Sequence, residues 1–187
     1  MRTVNIKLKA NEKRIFPFFW DGKKSEEIRV NAVLDKPGSS LKLLGLFFGN
    51  KNHLELRTNV IHKAPNTFSR TIVKGVLDGM ASANFEGDIL IEKGAKNADA
   101  DLKEHAILLS KQAKALAILR LDVLENEVKA SHGATVGKID GEQIFYLMSR
   151  GLTEAQAKGI IIKGFLGAVL QEFPEKKRII IAKKLYL

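Results

Sequence analysis

Short apolar or alternating runs fill most of the chain before residue 139, and each run is bounded by Gly, Pro, Asn, Asp or Ser. They recur at spacings of roughly eight to fifteen residues, which is typical of strands separated by turns. The runs are Val4–Lys9, Ile15–Trp20, Ile28–Leu34, Leu41–Phe48, Leu54–Ile61, Thr71–Leu77, Asp88–Glu92 and Ile107–Leu109. The pattern therefore predicts a mainly β body.

Two of these regions, Leu41–Phe48 and Asp88–Ile91, are not clean apolar-polar alternations. Strands buried on one face of a stacked coil explain them as well as a β-sandwich does. The sequence has no strict internal repeat, so periodicity alone does not decide between the two architectures.

Two later segments favour helix on residue propensity alone. Ala98–Ser110 and Lys111–Val123 are rich in Ala, Leu and Lys. Propensity is a weak signal, and Leu119–Val123 alternates like a strand.

Beyond Ile139 the pattern changes to helices, which divides the chain into a β body at 1–138 and a helical domain at 139–187. Asp140, with Gln143 three residues later, predicts the start of a first helix, and Gly151 predicts its end. Thr153 and Gln156 have the spacing of a capping box for a second helix. Its apolar residues cover more than one face, so it is expected to pack on the body and on something else.

Pro174 is expected to stop the second helix, and Glu175–Leu187 is expected to form a third, basic helix. In it, Ile181 and Leu185 share one side, while the lysines are exposed.

The net charge of +10 is concentrated at the two ends of the chain. Residues 1–24 carry +5, residues 25–140 carry +1, and residues 141–187 carry +4. A nucleic-acid groove needs basic residues along one face, often with stacking aromatics, so this distribution disfavours nucleic acid as a partner.

The chain has no cysteine, which excludes disulfides and thiolate metal sites. It has no leader-like opening and no apolar run of the roughly 18 residues that a membrane span needs. A cytoplasmic protein without membrane segments is expected.

Two familiar motifs fail on inspection. Gly133–Ile139 is one residue short of a phosphate-binding loop and has Ile139 where a magnesium ligand belongs. Asn97–Asp101 resembles the start of a calcium loop, but Leu102 replaces the turn glycine, so a solvated turn is expected. No hydrolase motif is present either.

His132 lies in a stretch of small residues between Val128 and Asp140. A histidine in such a turn can ligate a metal or exchange a proton near neutral pH, or it can simply cap the turn. Without thiols nearby, the chain does not supply the ligands that iron-sulfur sites usually need.

From about Thr58 to Leu170 the chain resembles the SufB/SufD family, the scaffold proteins of the SUF system for iron-sulfur cluster assembly. The matching blocks are His62-Lys-x-Pro-Asn-Thr-x-Ser69 with Lys74-Gly75, Phe85-x-Gly87, Ser131–Gly137, Glu142–Gly151 and Ala157–Phe165. The form Ser-His-Gly-Ala-Thr-Val-Gly is closer to SufD than to SufB. The chain is identified as a short, SufD-like member.

The resemblance implies a right-handed parallel β-helix followed by a small C-terminal helical domain, and it implies that Lys111–Val123 is extended. Family members pair through their β-helices, and their helical domains dock a SufC-type ABC ATPase. The partners implied are such an ATPase and either a SufB-like subunit or a second copy of this chain. The residues implied in partner binding are Phe145, Tyr146, Arg150, Ile161 and Phe165.

His132 matches the SufD histidine at the family's subunit interface, which makes it a candidate cluster-assembly residue and a candidate metal ligand. Ala113 occupies the position of the SufB cysteine that receives sulfur, so that step falls to another chain. His62 belongs to a family block but is expected to serve a turn or packing role. The resemblance implies a non-enzymatic scaffold without a stably bound cofactor, which holds a transient cluster or iron at a dimer interface.

Two other classes of function remain open from the residues. One is a β-helical carbohydrate-active enzyme, which would need a groove with paired carboxylates. The other is a basic module that binds nucleic acid.

Overall fold

Ten strands wind into a parallel β-solenoid of five coils in this computed structural model, which describes residues 1–185. The odd-numbered strands form one parallel sheet, sheet A, and the even-numbered strands form a second, sheet B. The strands are β1 (Arg2–Lys7), β2 (Lys13–Trp20), β3 (Glu26–Leu34), β4 (Ser40–Gly49), β5 (His53–His62), β6 (Phe68–Leu77), β7 (Ser82–Ile91), β8 (Asp99–Leu108), β9 (Lys114–Val123) and β10 (Lys129–Gly137). The mainly β body and its parallel coil are confirmed.

Successive coils differ in length, which explains the missing sequence repeat. Arg2 pairs with Ile28 in the first step of sheet A, an offset of 26 residues. Ser82 pairs with Lys114 in the last step, an offset of 32 residues. The turns absorb these differences, so the strands stay in register while the sequence period drifts.

The two segments with helical propensity are both strands. β8 and β9 each pair along their full length with a strand of the preceding coil. Ala100, Leu102 and Ala106 of β8 are buried in the interior. Ladder pairing and burial therefore outweigh the small intrinsic preference of Ala, Leu and Lys for helix.

The expected turn around His132 is wrong, because these residues form the middle of β10. Lys129 to Gly137 pair one by one with Asp99 to Ile107 of β8. Ser131, Gly133 and Ala134 carry no apolar alternation, so the ladder with β8 is needed to define this strand.

Aromatic rings of one coil pack onto glycines of the next. Phe18 is in register with Gly45, and Phe47 is in register with Gly75. A Cβ added at either glycine would overlap the facing ring. These glycines therefore let large rings lie close to the backbone and fill the interior.

The strands are followed by α1 (Gly141–Ser149), α2 (Glu154–Leu170) and α3 (Glu175–Leu185). Asp140 caps α1 by accepting a hydrogen bond from the backbone of Glu142, and Thr153 forms the predicted capping box with Gln156. Gly151 follows α1 with φ +91°, as a terminating glycine should. The third helix is also present, although the last two residues of the predicted 175–187 segment lie outside the described range.

The second and third helices, α2 and α3, lie on the outer face of sheet B and share a core with it. Outward residues of β4 and β6 meet the buried side of α2, the segment after it and α3, namely Leu44, Leu46, Val76, Leu166, Val169, Leu170, Phe173 and Ile181. The division at residue 139 into two domains stays a prediction. Within residues 1–185, no helix has the length and apolar character needed to cross a membrane.

Candidate functional site

His132 sits on the open end of the solenoid, where the last coil has no neighbour above it. Among residues 1–185, β9 pairs only with β7 and β10 only with β8. Their outer edges therefore present backbone groups that no strand of this range engages. His132 is in register with Leu102, which faces the interior, so its imidazole belongs to the inward series but is exposed.

The outer face of β9 is apolar where the preceding coil is polar. Leu116 and Ile118 are exposed, and Leu116 is 53% exposed. At the same positions one coil earlier stand Asn84 and Glu86. Val136 of β10 adds a further exposed apolar side chain at this end. We call Leu116, Ile118, His132 and Val136 the open rim; apolar residues on an unpaired edge are typical of an interface.

A buried carboxylate anchors the strand that carries His132. The Ser131 hydroxyl donates to Asp101 Oδ1 at 2.6 Å, and Arg70 lies 2.9 Å from Oδ2. Burial alone would raise the pKa of Asp101, but hydrogen bonds from Ser131, Arg70 and Lys103 outweigh it and hold this pKa below its usual value. The expected solvated turn at Asp101 is therefore wrong, since the residue ties β10 and β6 to β8.

Glu104 is a second buried carboxyl near the rim, and nothing in the sequence analysis identified it. It faces the interior of β8 in register with Ala134, so it lies diagonally below His132. Its side chain is 2% exposed, and its Oε2 has no hydrogen-bond partner in the described part of the chain. Burial raises the pKa of Glu104 to about 8. The group is therefore mainly protonated at neutral pH.

His62 is fully buried and serves the packing role expected of it. Its Nδ1 and Nε2 lie 2.8 Å from Thr67 Oγ1 and Ser69 Oγ. Because the Thr67 hydroxyl already donates to the carbonyl of Ala64, it accepts from Nδ1–H, and Nε2 accepts from Ser69. Burial lowers the pKa of His62 to about 4, so the ring is neutral and both nitrogens are occupied.

The helix α1 exposes a second apolar surface. Phe145 is 75% exposed, and Tyr146 and Met148 are also exposed, while the helix has no buried residue. The guanidinium of Arg150 lies 5.4 Å from the Tyr146 ring centroid, which keeps the two side chains together. An apolar helix surface without an intramolecular partner is typical of a docking site.

The other two predicted partner-binding residues lie on α2 and are less exposed. Ile161 borders shallow cavities beside Tyr146 and beside Phe165. Phe165 turns toward sheet B, where Lys74 Nζ lies 4.6 Å from its ring centroid and donates to its carbonyl at 3.1 Å. The structure thus groups Arg150 and Ile161 around Tyr146, Phe145 is the most exposed apolar residue of the five, and Phe165 mainly anchors α2.

Sheet A carries a shallow acidic cavity lined by Glu26, Glu27, His53 and Glu55. Burial tends to raise the pKa of Glu55, but hydrogen bonds from His53, Asn84 and Arg57 bring it below the usual value. A glycosidase acid needs a raised pKa, so Glu55 is not suited to that role.

In residues 1–185, no three histidine or carboxylate side chains come together in a way that could hold a metal ion. His132 therefore has no set of companion ligands within that range.

Comparison with known proteins identifies the family. Residues 21–165 match the SUF system FeS cluster assembly, SufBD core domain. The chain is similar to iron-sulfur cluster assembly SufBD family proteins of Mycobacterium bovis (34% identity, covering 68% of this chain and 15% of the relative) and Mycobacterium leprae (33%, 84% and 43%). A relative in Mycobacterium tuberculosis is 34% identical, with coverage of 71% and 36%.

The chain thus spans less than half the length of these relatives. The family match begins at residue 21, well before the first block recognised in the sequence near Thr58. It covers β3 to β10 and most of the α1–α2 region, which includes both the open rim and the exposed helix surface. This chain belongs to the SufBD core domain family of iron-sulfur cluster assembly proteins.

Proposed function

We propose that this chain is a SufD-like, non-enzymatic scaffold subunit in iron-sulfur cluster assembly. It pairs through the open rim with a SufB-like subunit or a second copy of itself. It recruits a SufC-type ABC ATPase through the exposed surface of α1 and the adjoining part of α2. Iron and sulfide are cargo that it holds transiently at the paired end.

The observation that carries this proposal is the uncovered last coil. Two strands with free edges, three exposed apolar side chains and an exposed histidine occur together at one end of the molecule. The first coil also ends in edge strands, but α3 lies against it, where Lys177 Nζ donates to the carbonyl of Pro17 at 3.4 Å and Lys184 pairs with Asp21 at 2.9 Å. Pairing through the last coil would cover apolar surface and satisfy backbone groups in one step.

His132 would contribute one ligand or one proton-transfer group at the paired end. A neutral imidazole binds iron, but the described part of the chain has no thiol and no cluster of companion ligands around it. The sulfur-accepting cysteine position is Ala113, which is buried in the turn before β9. The partner would therefore supply the sulfur chemistry.

We expect His132→Ala to remove most of the cluster yield when the chain is reconstituted anaerobically with iron, sulfide and a SufB-like subunit. The exposed imidazole contributes no buried contact, so folding and pairing should be retained. Visible absorbance and iron content measure the yield. His53→Ala, on the outer face of sheet A, is the control and should match wild type. Equal yields from His132→Ala and wild type would remove His132 from the mechanism.

The exposed surface of α1 supports the ATPase part of the proposal. Phe145, Tyr146 and Met148 are large apolar side chains exposed on a helix that has no buried residue. Such aromatic residues supply much of the binding energy when a partner covers them.

We expect Phe145→Asp to weaken binding of a SufC-type ATPase by about 30-fold or more, because it places an unpaired charge in the buried part of the interface. Binding is measured by co-purification and calorimetry with the full chain. Deleting residues 140–187 is a poorer test, since it would uncover Leu44 and Leu46 of sheet B.

The matched control is Ile179→Asp, which changes a similarly exposed apolar residue on α3. It should leave ATPase binding unchanged. Unaltered binding by Phe145→Asp, or equal losses in both variants, would contradict docking through α1.

A further inference from the structure

A cavity of about 270 Å³ opens at the first coil, at the opposite end from the rim. It extends from the interior of the coil across the free edge of β2 to α3. Its walls are mainly aromatic and branched aliphatic side chains, among them Phe16, Phe18, Phe19, Phe173, Ile180 and Ile181. The volume lies just below the range for sites of drug-sized molecules, about 300–1,000 Å³, and so suits a small ligand.

The charged residues that line this cavity are both cationic. Lys177 donates to the carbonyl of Pro17 at 3.4 Å, and Arg2 is 3.6 Å from Glu26. Neither contact is short, so both cations can turn toward a ligand. No carboxylate belongs to the lining residues. The apolar wall and positive mouth together select a ligand with an apolar body and an anionic end.

This site also accounts for the uneven charge of the sequence. The N-terminal segment and the helical region are the two parts with the largest excess of lysine and arginine. The fold brings them together at the first coil, where Lys177 of α3 contacts β2. The excess positive charge is therefore partly concentrated around an apolar opening, without the long basic groove that nucleic acid requires.

The edge of β2 is poorly suited to pairing with a peptide strand. Pro17 lies in the middle of the cavity-lining stretch and has no N–H to donate. Its carbonyl already accepts a hydrogen bond from Lys177. Because the N–H is missing at this position, a regular ladder along β2 is interrupted, which favours a small ligand over an added strand.

We propose that this cavity binds a medium-chain carboxylate, with its alkyl chain among the phenylalanines and its carboxylate between Arg2 and Lys177. This site is separate from the open rim and from the exposed surface of α1. Its occupancy is therefore tested independently of pairing, cluster assembly and ATPase binding.

The probe is dissolved decanoate, titrated into the full chain and followed by calorimetry. We expect saturable binding at one site per chain. Ile180→Asp should abolish this binding, because it puts a carboxylate into the wall. Lys177→Gln should weaken binding by about tenfold, the effect of losing one charge-assisted hydrogen bond. Both residues are exposed in the free protein, so neither change should prevent folding.

Two neighbours on the same helix provide matched controls. Ile179 is 49% exposed, against 57% for Ile180, but it does not line the cavity, and Lys176 likewise lies outside it. Ile179→Asp and Lys176→Gln should bind decanoate as wild type does. Equal losses in the Ile179 and Ile180 variants would overturn the proposal. Equally tight binding of decyltrimethylammonium would do so as well.

A last comparison separates a free carboxylate from a membrane lipid as the source of the anionic end. Vesicles of phosphatidylglycerol and of phosphatidylcholine are offered to the same variants. Saturable binding of dissolved decanoate that Ile180→Asp removes supports the cavity. Binding to phosphatidylglycerol vesicles without binding to dissolved decanoate would contradict it.

Discussion

Replacing Glu104 by glutamine should raise the free energy of unfolding by about 4 kcal/mol at pH 8 and change it little at pH 4. The carboxyl is buried with an unpartnered oxygen, and its pKa is raised to about 8 from an ordinary value of 4.5. Between these two values the folded state binds more protons than the unfolded state. The contribution of Glu104 to the free energy of unfolding is therefore fully present below pH 4.5 and is lost as the pH rises through about 8.

Urea unfolding of wild type and Glu104→Gln across pH 4 to 9 measures the free energy of unfolding of each protein. The titration of all other groups cancels when one free energy is subtracted from the other. Glu125→Gln is the matched control with the opposite sign. Glu125 is also little exposed, but it accepts backbone hydrogen bonds from Gly94 and Asn126, which lower its pKa. Glu125→Gln should therefore destabilise the protein at neutral pH, where wild-type Glu125 is ionised and accepts these hydrogen bonds. Parallel pH profiles for wild type and Glu104→Gln would show that the buried carboxyl keeps its ordinary pKa.

The double change Leu116→Asp with Ile118→Asp should weaken pairing of the chain by about 100-fold or more, whether the partner is a SufB-like subunit or a second copy. Both residues point outward from the last strand of sheet A and are exposed in the single chain. Carboxylates there would be buried without partners in the pair, which costs several kcal/mol. In the unpaired chain they would remain in water, so folding should be unaffected.

Analytical ultracentrifugation of the chain alone, and of mixtures with a SufB-like subunit, measures the dissociation constant. Ile15→Asp tests which end of the solenoid forms the interface, since Ile15 is an exposed apolar residue on the edge strand at the other end. It should leave pairing intact. Loss of pairing in the Ile15 variant, or its retention in the double variant, would place the interface elsewhere.

Local signals in the sequence predicted the local structure well. The helix ends at Asp140, Thr153 and the glycine after α1 depend on neighbours within three residues. The spacing of these residues along the sequence was therefore enough to predict where the helices begin and end. The alternation of Leu119 and Leu121 likewise indicated a strand in a segment whose composition favours helix. In each case the determining contacts lie within a few positions of the residue concerned.

The parts of the site that were missed depend on contacts between coils. β10 carries no alternation, and only its register with β8 makes His132 part of a strand. The sequence predicts a solvated turn at Asp101, because the residues that bury and bind its carboxylate, Arg70 and Ser131, lie about thirty positions away on either side. The sequence does carry a signal for Glu104, since it stands at every second position together with Ala100, Leu102 and Ala106, which are buried on the same side of β8.

The single-sided pairing of β9 and β10 has a consequence for how the chain folds. In a solenoid, stability is roughly a sum of terms between adjacent coils, and an end coil has one such term instead of two. The first coil is supported by α3, whereas the last coil has β7 and β8 as its ladder partners. The coil that carries His132 is therefore held by a single ladder on each of its two strands. A partner paired as proposed would supply the missing neighbour of this coil, so we expect an ordered cluster site and an assembled pair to form together.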